Sequence, residues 1–467
     1  MSRLQVERRD FLKTTALAAA ALGTSGWAQA EKHAATANPE DKPAGPKVAV
    51  NPRDLGATGD GKTKDTLALQ LAIDRCSVLG GGVVAVPAGE YLTGALQLHS
   101  NVTLRLEEGA TLHGADEMAD YPVAQVRWEG RWIKGYSAFI SAMDAENIAI
   151  EGPGKIQASP AIRGRVERPS GLRLPALIEF VNCRNVRVEN CSATQTGMWA
   201  IHPVYCENIV FKNVTIVSGA DGIDADSCKE VTIDGCSFET DDDCISLKSG
   251  RGMEANTINR PCENVRIANC TFIDRHFACI GIGSEVSAGV RNVVIEHCKC
   301  LGARSHAIYI KSREGRGAFI ENIAVNDFEV SGAQQGFLRI NSTGSGKQDE
   351  FPVPGDRGIP TFRNFRFTNI RVHDVPVLVQ AVEIHPRKPL DGLSLANITG
   401  TAQSGMKLAN IKNVEIRDVK VTGIDGAMLS IANVTGTGLE GAEKLDESKL
   451  PKLPDAVAGP ATPYVLK

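Results

Sequence analysis

One pattern recurs along this 467-residue chain: an Asn, then Val or Ile, then alternating apolar residues. It appears at Asn101-Val102, Asn147-Ile148, Asn185-Val186, Asn208-Ile209, Asn264-Val265, Asn292-Val293, Asn322-Ile323, Asn364-Phe365 and Asn413-Val414, with Glu230-Val231 as a variant. From Val186 to Ile323 the intervals are 23, 22, 34, 28 and 30 residues. Each unit opens on a period-2 strand such as Val231-Thr232-Ile233. Cys183, Cys206, Cys228 and Cys262 sit two residues before the Asn or Glu, and Cys191, Cys236, Cys270 and Cys298 form a second column. Fixed registers of this kind mean that successive units stack. A unit of short strands with no helix between them predicts an all-β fold, a single-stranded right-handed parallel β-helix of about ten rungs. A leucine-rich solenoid would need a constant period and Leu-x-x-Leu spacing, which are absent. With only 24 aromatics among Phe, Tyr and Trp, the core must be ladders of Val, Ile, Leu and Ala. Asn suits the turns because it tolerates left-handed φ and satisfies exposed backbone groups.

The rest of the chain is organised around this stack. Asp65 to Leu79 has helical spacing at Leu67, Leu71 and Val78 and ends in three glycines, which predicts a capping helix. Residues 31–46 read as a linker, 47–439 as the β-helix, 343–361 as a long loop between rungs, and 440–467 as a charged tail. No apolar run reaches the roughly 18 residues of a membrane span.

Residues 1–30 contain Glu-Arg-Arg-Asp-Phe-Leu-Lys (7–13), a small apolar run and Ala28-Gln29-Ala30. They resemble a twin-arginine signal with a cleavage site, which implies a periplasmic or secreted protein. The remainder is net acidic, so neither nucleic acid nor, after signal removal, an anionic membrane is an expected partner. Export of an already folded chain would expose its twelve cysteines first to a reducing compartment. They are therefore read as stacked core thiols and not as a disulfide framework.

Chemistry is suggested where acids fall in register. Twelve residues after Ile209 and Val231 lie Asp221 and Asp243, equivalent places on adjacent rungs, with Asp242 beside them. Carboxylates stacked so closely raise one another's proton affinity, leaving one as an acid and another as a base. That is the requirement of glycoside hydrolysis. A solvated Asp241-Asp242-Asp243 turn is the alternative, but consecutive strand residues cannot all point away from one face.

These residues resemble glycoside hydrolase family 28, the polygalacturonases and their relatives, over nearly the whole chain after residue 46. The resemblance is carried by Leu55 to Gly61, Val86 to Gly89, Ser100 to Leu104, Trp199 to Cys206, Asp221 to Cys228 and Asp242 to Ile245. The family's N-T-D and G-D-D motifs keep their acids here, with Gly219-Ala220 replacing N-T and Asp241 replacing Gly. The resemblance implies an inverting hydrolase of pectic polysaccharide. Asp242 would be the general acid, and Asp221 and Asp243 would hold and activate the water.

Two motifs depart from the family. Where G-H-G is expected, counting from Val265 puts Phe277 at the His position, with Ala278 there for the shorter form of the motif, and His276 needs a β-bulge to reach the site. Where R-I-K-[TS] grips a galacturonate carboxylate, the chain reads Tyr309-Ile310-Lys311-Ser312. The Lys is kept and the planar guanidinium is lost, with Arg313 and Arg316 as nearby candidates for its replacement. These differences favour rhamnogalacturonan or a substituted galacturonan beside plain galacturonan. Tyr309 and Trp199 are candidates for stacking on a sugar, and Trp199 is equally compatible with burial between rungs.

Two other classes fit the same fold. A calcium-dependent pectate lyase would use Asp221, Asp224, Asp226 and Asp241 to Asp243 as ligands, and a non-catalytic β-helix would only bind polysaccharide. The histidines lack metal-ligand spacing and no phosphate-cradling loop occurs, so no metal or cofactor is expected. The sequence carries no signal of oligomeric state.

Overall fold

The computed structural model describes residues 48–168, 170–458 and 464–466. The segments read as an export signal (1–30) and a linker (31–46) lie outside them.

The chain winds as a right-handed parallel β-helix, and the repeat read from sequence is its rung. Along the corner that carries the Asn column, Val186, Ile209, Val231, Val265, Val293 and Ile323 pair in unbroken succession. Their side chains point inward and are buried, so the core is a stack of β-branched residues. A second ladder runs through Ser192–Gln195, Thr215–Ser218, Ser237–Thr240 and Thr271–Asp274. A third, called here the groove ladder, runs through Ile178–Val181, Ile201–Val204, Ile223–Asp226, Ile245–Lys248, Ile280–Ile282, His306–Lys311 and Gly336–Asn341.

The Asn column does what its chemistry predicts. Asn147, Asn185, Asn208, Asn264, Asn292, Asn322 and Asn364 all hold φ between 55° and 59°. Each amide donates to the side chain one rung below: Asn185 to Asn147 at 2.8 Å, Asn208 to Asn185 at 2.8 Å, Asn292 to Asn264 at 2.9 Å, and Asn322 to Asn292 at 2.9 Å. Where Glu230 takes the place, its carboxylate accepts from Asn264 at 2.7 Å. A further asparagine column at Asn190 and Asn213 behaves alike. All twelve cysteines are buried free thiols.

The helix forms as expected, over Thr66–Val78, but presents another face. Leu69, Ala72, Ile73 and Cys76 are buried, whereas Leu67 is 72% exposed and Val78 86% exposed. The buried stripe mixes Ala and Cys with larger residues, so picking only large side chains selected the outer face. The loop between Asn341 and Thr361 is pinned by Asp349, which pairs with Arg316, with Arg251 at 2.9 Å and with Arg131 at 3.1 Å. Beyond it the last segment folds back on the solenoid. Glu443–Lys444 pairs with Ser430 and Ile431, and the Gly355 amide donates to the Val457 carbonyl at 2.9 Å.

Candidate active site

Asp221 and Asp243 occupy the turns that feed two adjacent strands of the groove ladder. Each lies two residues before a paired isoleucine, Ile223 and Ile245, and the Gly222 amide donates to the Asp243 carbonyl at 3.1 Å. The register that stacks the isoleucines therefore brings the two acids to the same corner. Both are buried. Asp242 differs: its side chain is 28% exposed, and its Oδ1 accepts from the Asp243 amide at 3.0 Å.

Three cations answer the three acids. Lys248 donates to Asp221 Oδ2 at 3.1 Å and to Asp224 Oδ2 at 2.5 Å. Lys311 donates to Asp243 Oδ2 at 2.8 Å, and Ser246 Oγ donates to the same oxygen at 3.0 Å. Arg165, from the segment ahead of Ile178–Val181, donates to Asp242 Oδ2 at 2.6 Å. The consequences differ between the buried carboxyls. Burial alone would raise Asp221, but the Lys248 ammonium holds it below its usual range. Burial pushes Asp243 up to about 6, against the pull of Lys311 and with repulsion from Asp242 and Asp221. Asp274, close by, is raised by burial to about 7. Gly281 pairs with Ser246 on the next rung, and a Cβ there would overlap the Asp243 carboxylate. A glycine is required for the acid to lie where it does.

The other sequence-derived candidates fall in three places. Tyr309, Phe277 and His276 line a cleft of about 720 Å³ with Arg304, Arg339 and Pro451 to Pro454. His276 faces Asp241 at 3.5 Å and touches none of the three acids. The count from Val265 misplaces this turn because the groove ladder gains a residue: Val231 pairs with Val265, 34 positions on, but Ile245 pairs with Ile280, 35 positions on. Ala278 thus stands beside Cys244 and Asp243, the Cys244 amide donating to its carbonyl at 3.3 Å. Phe277 is turned onto Lys311, whose Nζ is 4.0 Å from its ring centroid. Lys311 is buried and engaged with Asp243 instead of standing free in the groove.

Trp199 is 2% exposed and offers no surface to a sugar. It lies behind the site, with Lys248 Nζ 4.8 Å from its ring and the His202 ring tilted against it at 4.6 Å. Neither nearby arginine replaces the missing guanidinium at position 309. Arg316 is fully buried against Asp349 and Glu285, and Arg313 is bound to the Gly346 carbonyl. Arg339 stands in register with Tyr309 one rung on, 5.0 Å from its ring, and pairs with Glu383 at 2.6 Å. Sequence reasoning also missed Lys248, Arg165, Asp274 and Gly281. Lys248 alone carried a local signal, as a lysine two residues after Ser246 on a strand facing the same way.

Comparison with known proteins now decides the family. The model for glycosyl hydrolases family 28 matches residues 76–346, more than half of the chain. The chain belongs to glycosyl hydrolase family 28. A probable polygalacturonase of Vitis vinifera is 27% identical over 362 residues, 74% of this chain and 73% of that one. The exo-poly-α-D-galacturonosidase of Dickeya chrysanthemi is 25% identical, over 84% of this chain and 75% of that one. Among solved structures, a hyperthermoactive exopolygalacturonase from Thermotoga maritima superposes with a TM-score of 0.72 at 27% identity, covering 84% of this chain and 96% of that one. A family 28 exopolygalacturonase from Yersinia enterocolitica, 20% identical with a TM-score of 0.73 over 85% of this chain and 79% of that one, shares the fold. As a family 28 member the protein is a glycoside hydrolase of the pectin-degrading kind.

Proposed function

We propose that this family 28 enzyme hydrolyses galacturonan-type pectic backbone with inversion, using Asp242 as general acid and Asp221 with Asp243 to hold and activate water. The observation that carries this reading is the contrast among the three carboxyls. Asp242 is the one open to solvent, as an acid must be to reach a leaving oxygen, while Asp221 and Asp243 are buried on ammonium groups. In the reaction the bond from the anomeric carbon to the leaving oxygen breaks as Asp242 gives that oxygen its proton. The water oxygen bonds to the anomeric carbon from the opposite face, and its proton passes to an aspartate. Asp243, poised near 6, is suited to accept it.

The cleft lined by Tyr309, His276, Arg304 and Arg339 lies beside this site, its Phe277 and Tyr309 rings packed on Lys311, and supplies aromatic and cationic surface for neighbouring sugars. Its Arg304, bonded to Gln334 and not to a carboxylate, favours an acidic sugar over a neutral one. The calcium-lyase alternative is disfavoured because the place between Asp221 and Asp224 is filled by the Lys248 ammonium. Action on pectin implies a protein outside the cytoplasm, in keeping with the export signal read from residues 1–30. The test is product analysis on defined pectic oligosaccharides. New reducing ends of α-to-β inverted configuration support the proposal, whereas an unsaturated, ultraviolet-absorbing product refutes it.

A further inference from the structure

Three carboxylates converge where a polyanion would have to bind, so a substrate carboxylate meets repulsion unless a cation is available to it. Lys248 and Lys311 are buried and committed to Asp221, Asp224 and Asp243. In the adjoining cleft Arg339 is tied to Glu383, and Arg304, bonded to Gln334, serves the surface for neighbouring sugars and pairs with none of the three acids. Arg165 is the cation in contact with the acids that remains open, its side chain 39% exposed.

Its position is built, not incidental. Residues 165–167 and 172–174 pair as two antiparallel arms of a small hairpin, with Val166 bridged to Arg173 and the Leu174 amide donating to the Arg165 carbonyl at 3.0 Å. One arm is anchored where Arg173, fully buried, donates to Glu179 at 2.6 Å. The approach is fixed by Thr196 Oγ1, which donates to the carbonyls of Ser159 at 3.1 Å and Ile162 at 2.8 Å. Gly197 permits this contact, since a Cβ there would strike the Gly164 backbone. The hairpin thus presents one guanidinium over Asp242, with Asp221 and Glu129 as its other charged neighbours.

We propose that Arg165 is the substrate-carboxylate receptor of this enzyme, taking over the recognition lost with the arginine absent at position 309, and that a uronate binds by drawing Arg165 away from Asp242. The inference rests on the role of Asp242 given above. In the free enzyme Arg165 covers Asp242 Oδ2 at 2.6 Å, so a leaving oxygen reaches that carboxyl oxygen only once the guanidinium has moved aside. A guanidinium can exchange one carboxylate for another, with two parallel hydrogen bonds retained. Binding an acidic sugar therefore frees the acid, and a neutral or esterified sugar does not.

The experiment measures kcat and KM on polygalacturonate and on its methyl-esterified form for wild type, Arg165→Gln and Arg163→Gln. The last removes the same charge from the same segment, where Arg163 bonds only the Pro160 carbonyl, and it should leave both rates unchanged. In Arg165→Gln, kcat/KM on polygalacturonate should fall about 10²-fold with a raised KM. The preference for the acidic polymer, tenfold or more in wild type, should shrink to within threefold. Equal loss on both polymers, or no loss, overturns the proposal. Should Arg165→Gln fail to fold by circular dichroism, Arg165→Lys decides: a selective loss on polygalacturonate supports it and an equal loss refutes it. A wild type that releases no reducing ends from either polymer would instead refute the hydrolase reading.

Discussion

Two columns of like residues run up this solenoid, and they obey opposite chemistry. At the asparagine corner each amide is both donor and acceptor, so Asn stacks on Asn through 2.8 to 2.9 Å bonds and the ladder completes itself. At the groove corner Asp221 and Asp243 stack just as closely in register but can only accept. Each needs a cation brought from elsewhere: Lys248, Lys311 and Arg165, which are 27, 68 and 77 positions away from their acids. A self-complementary ladder holds the fold, and a ladder that must be neutralised by imported charge marks the place where we propose that the chemistry is done.

The comparison can be broken most severely at its functional end. Asp242→Asn should lower kcat by about 10²- to 10⁴-fold with no change in the thermal midpoint, read by reducing-end release and calorimetry. Lys248→Met should cost about 3–5 kcal/mol in chemical denaturation, because it strands the buried Asp221 and Asp224 without a partner. Acidification should silence the enzyme before it unfolds it. Asp243 carries a raised pKa of about 6 and must be ionised to accept a proton, so kcat/KM should drop roughly tenfold per pH unit below that value. A profile flat down to pH 4 would remove Asp243 from the role of base. At the other column Asn185→Ala should cost about 1–2 kcal/mol, from a lost side-chain bond and a left-handed φ of 55°, and leave activity intact. If it abolished activity, the two columns would not be separable.

The sequence made the repeat, the core ladders and the register of Asp221 with Asp243 legible, because all three follow from spacing along one strand. It did not make the His276 and Phe277 turn legible. A count started on the Asn corner fails to carry around the rung when a residue is inserted between Thr271–Asp274 and Ile280–Ile282. Nor does spacing reveal sidedness under a covering loop. Trp199 lies one rung before Asp221 yet is buried behind Lys248. The cations were hidden for the simplest reason: ion pairs between distant rungs leave no local pattern. Arg165 belongs to a hairpin outside the repeat altogether.

The returning C-terminal segment gives the molecule a separate degree of freedom. Pro451 to Pro454 contribute one wall of the cleft that Tyr309 and Arg339 share, yet they belong to no rung and constrain no ladder. The extent of the cleft is therefore set in part by a segment that stands outside the repeat. Residues 451–454 can change without altering the pairing of the strands that carry the acids, because the segment meets the stack elsewhere, at Glu443–Lys444 and Val457.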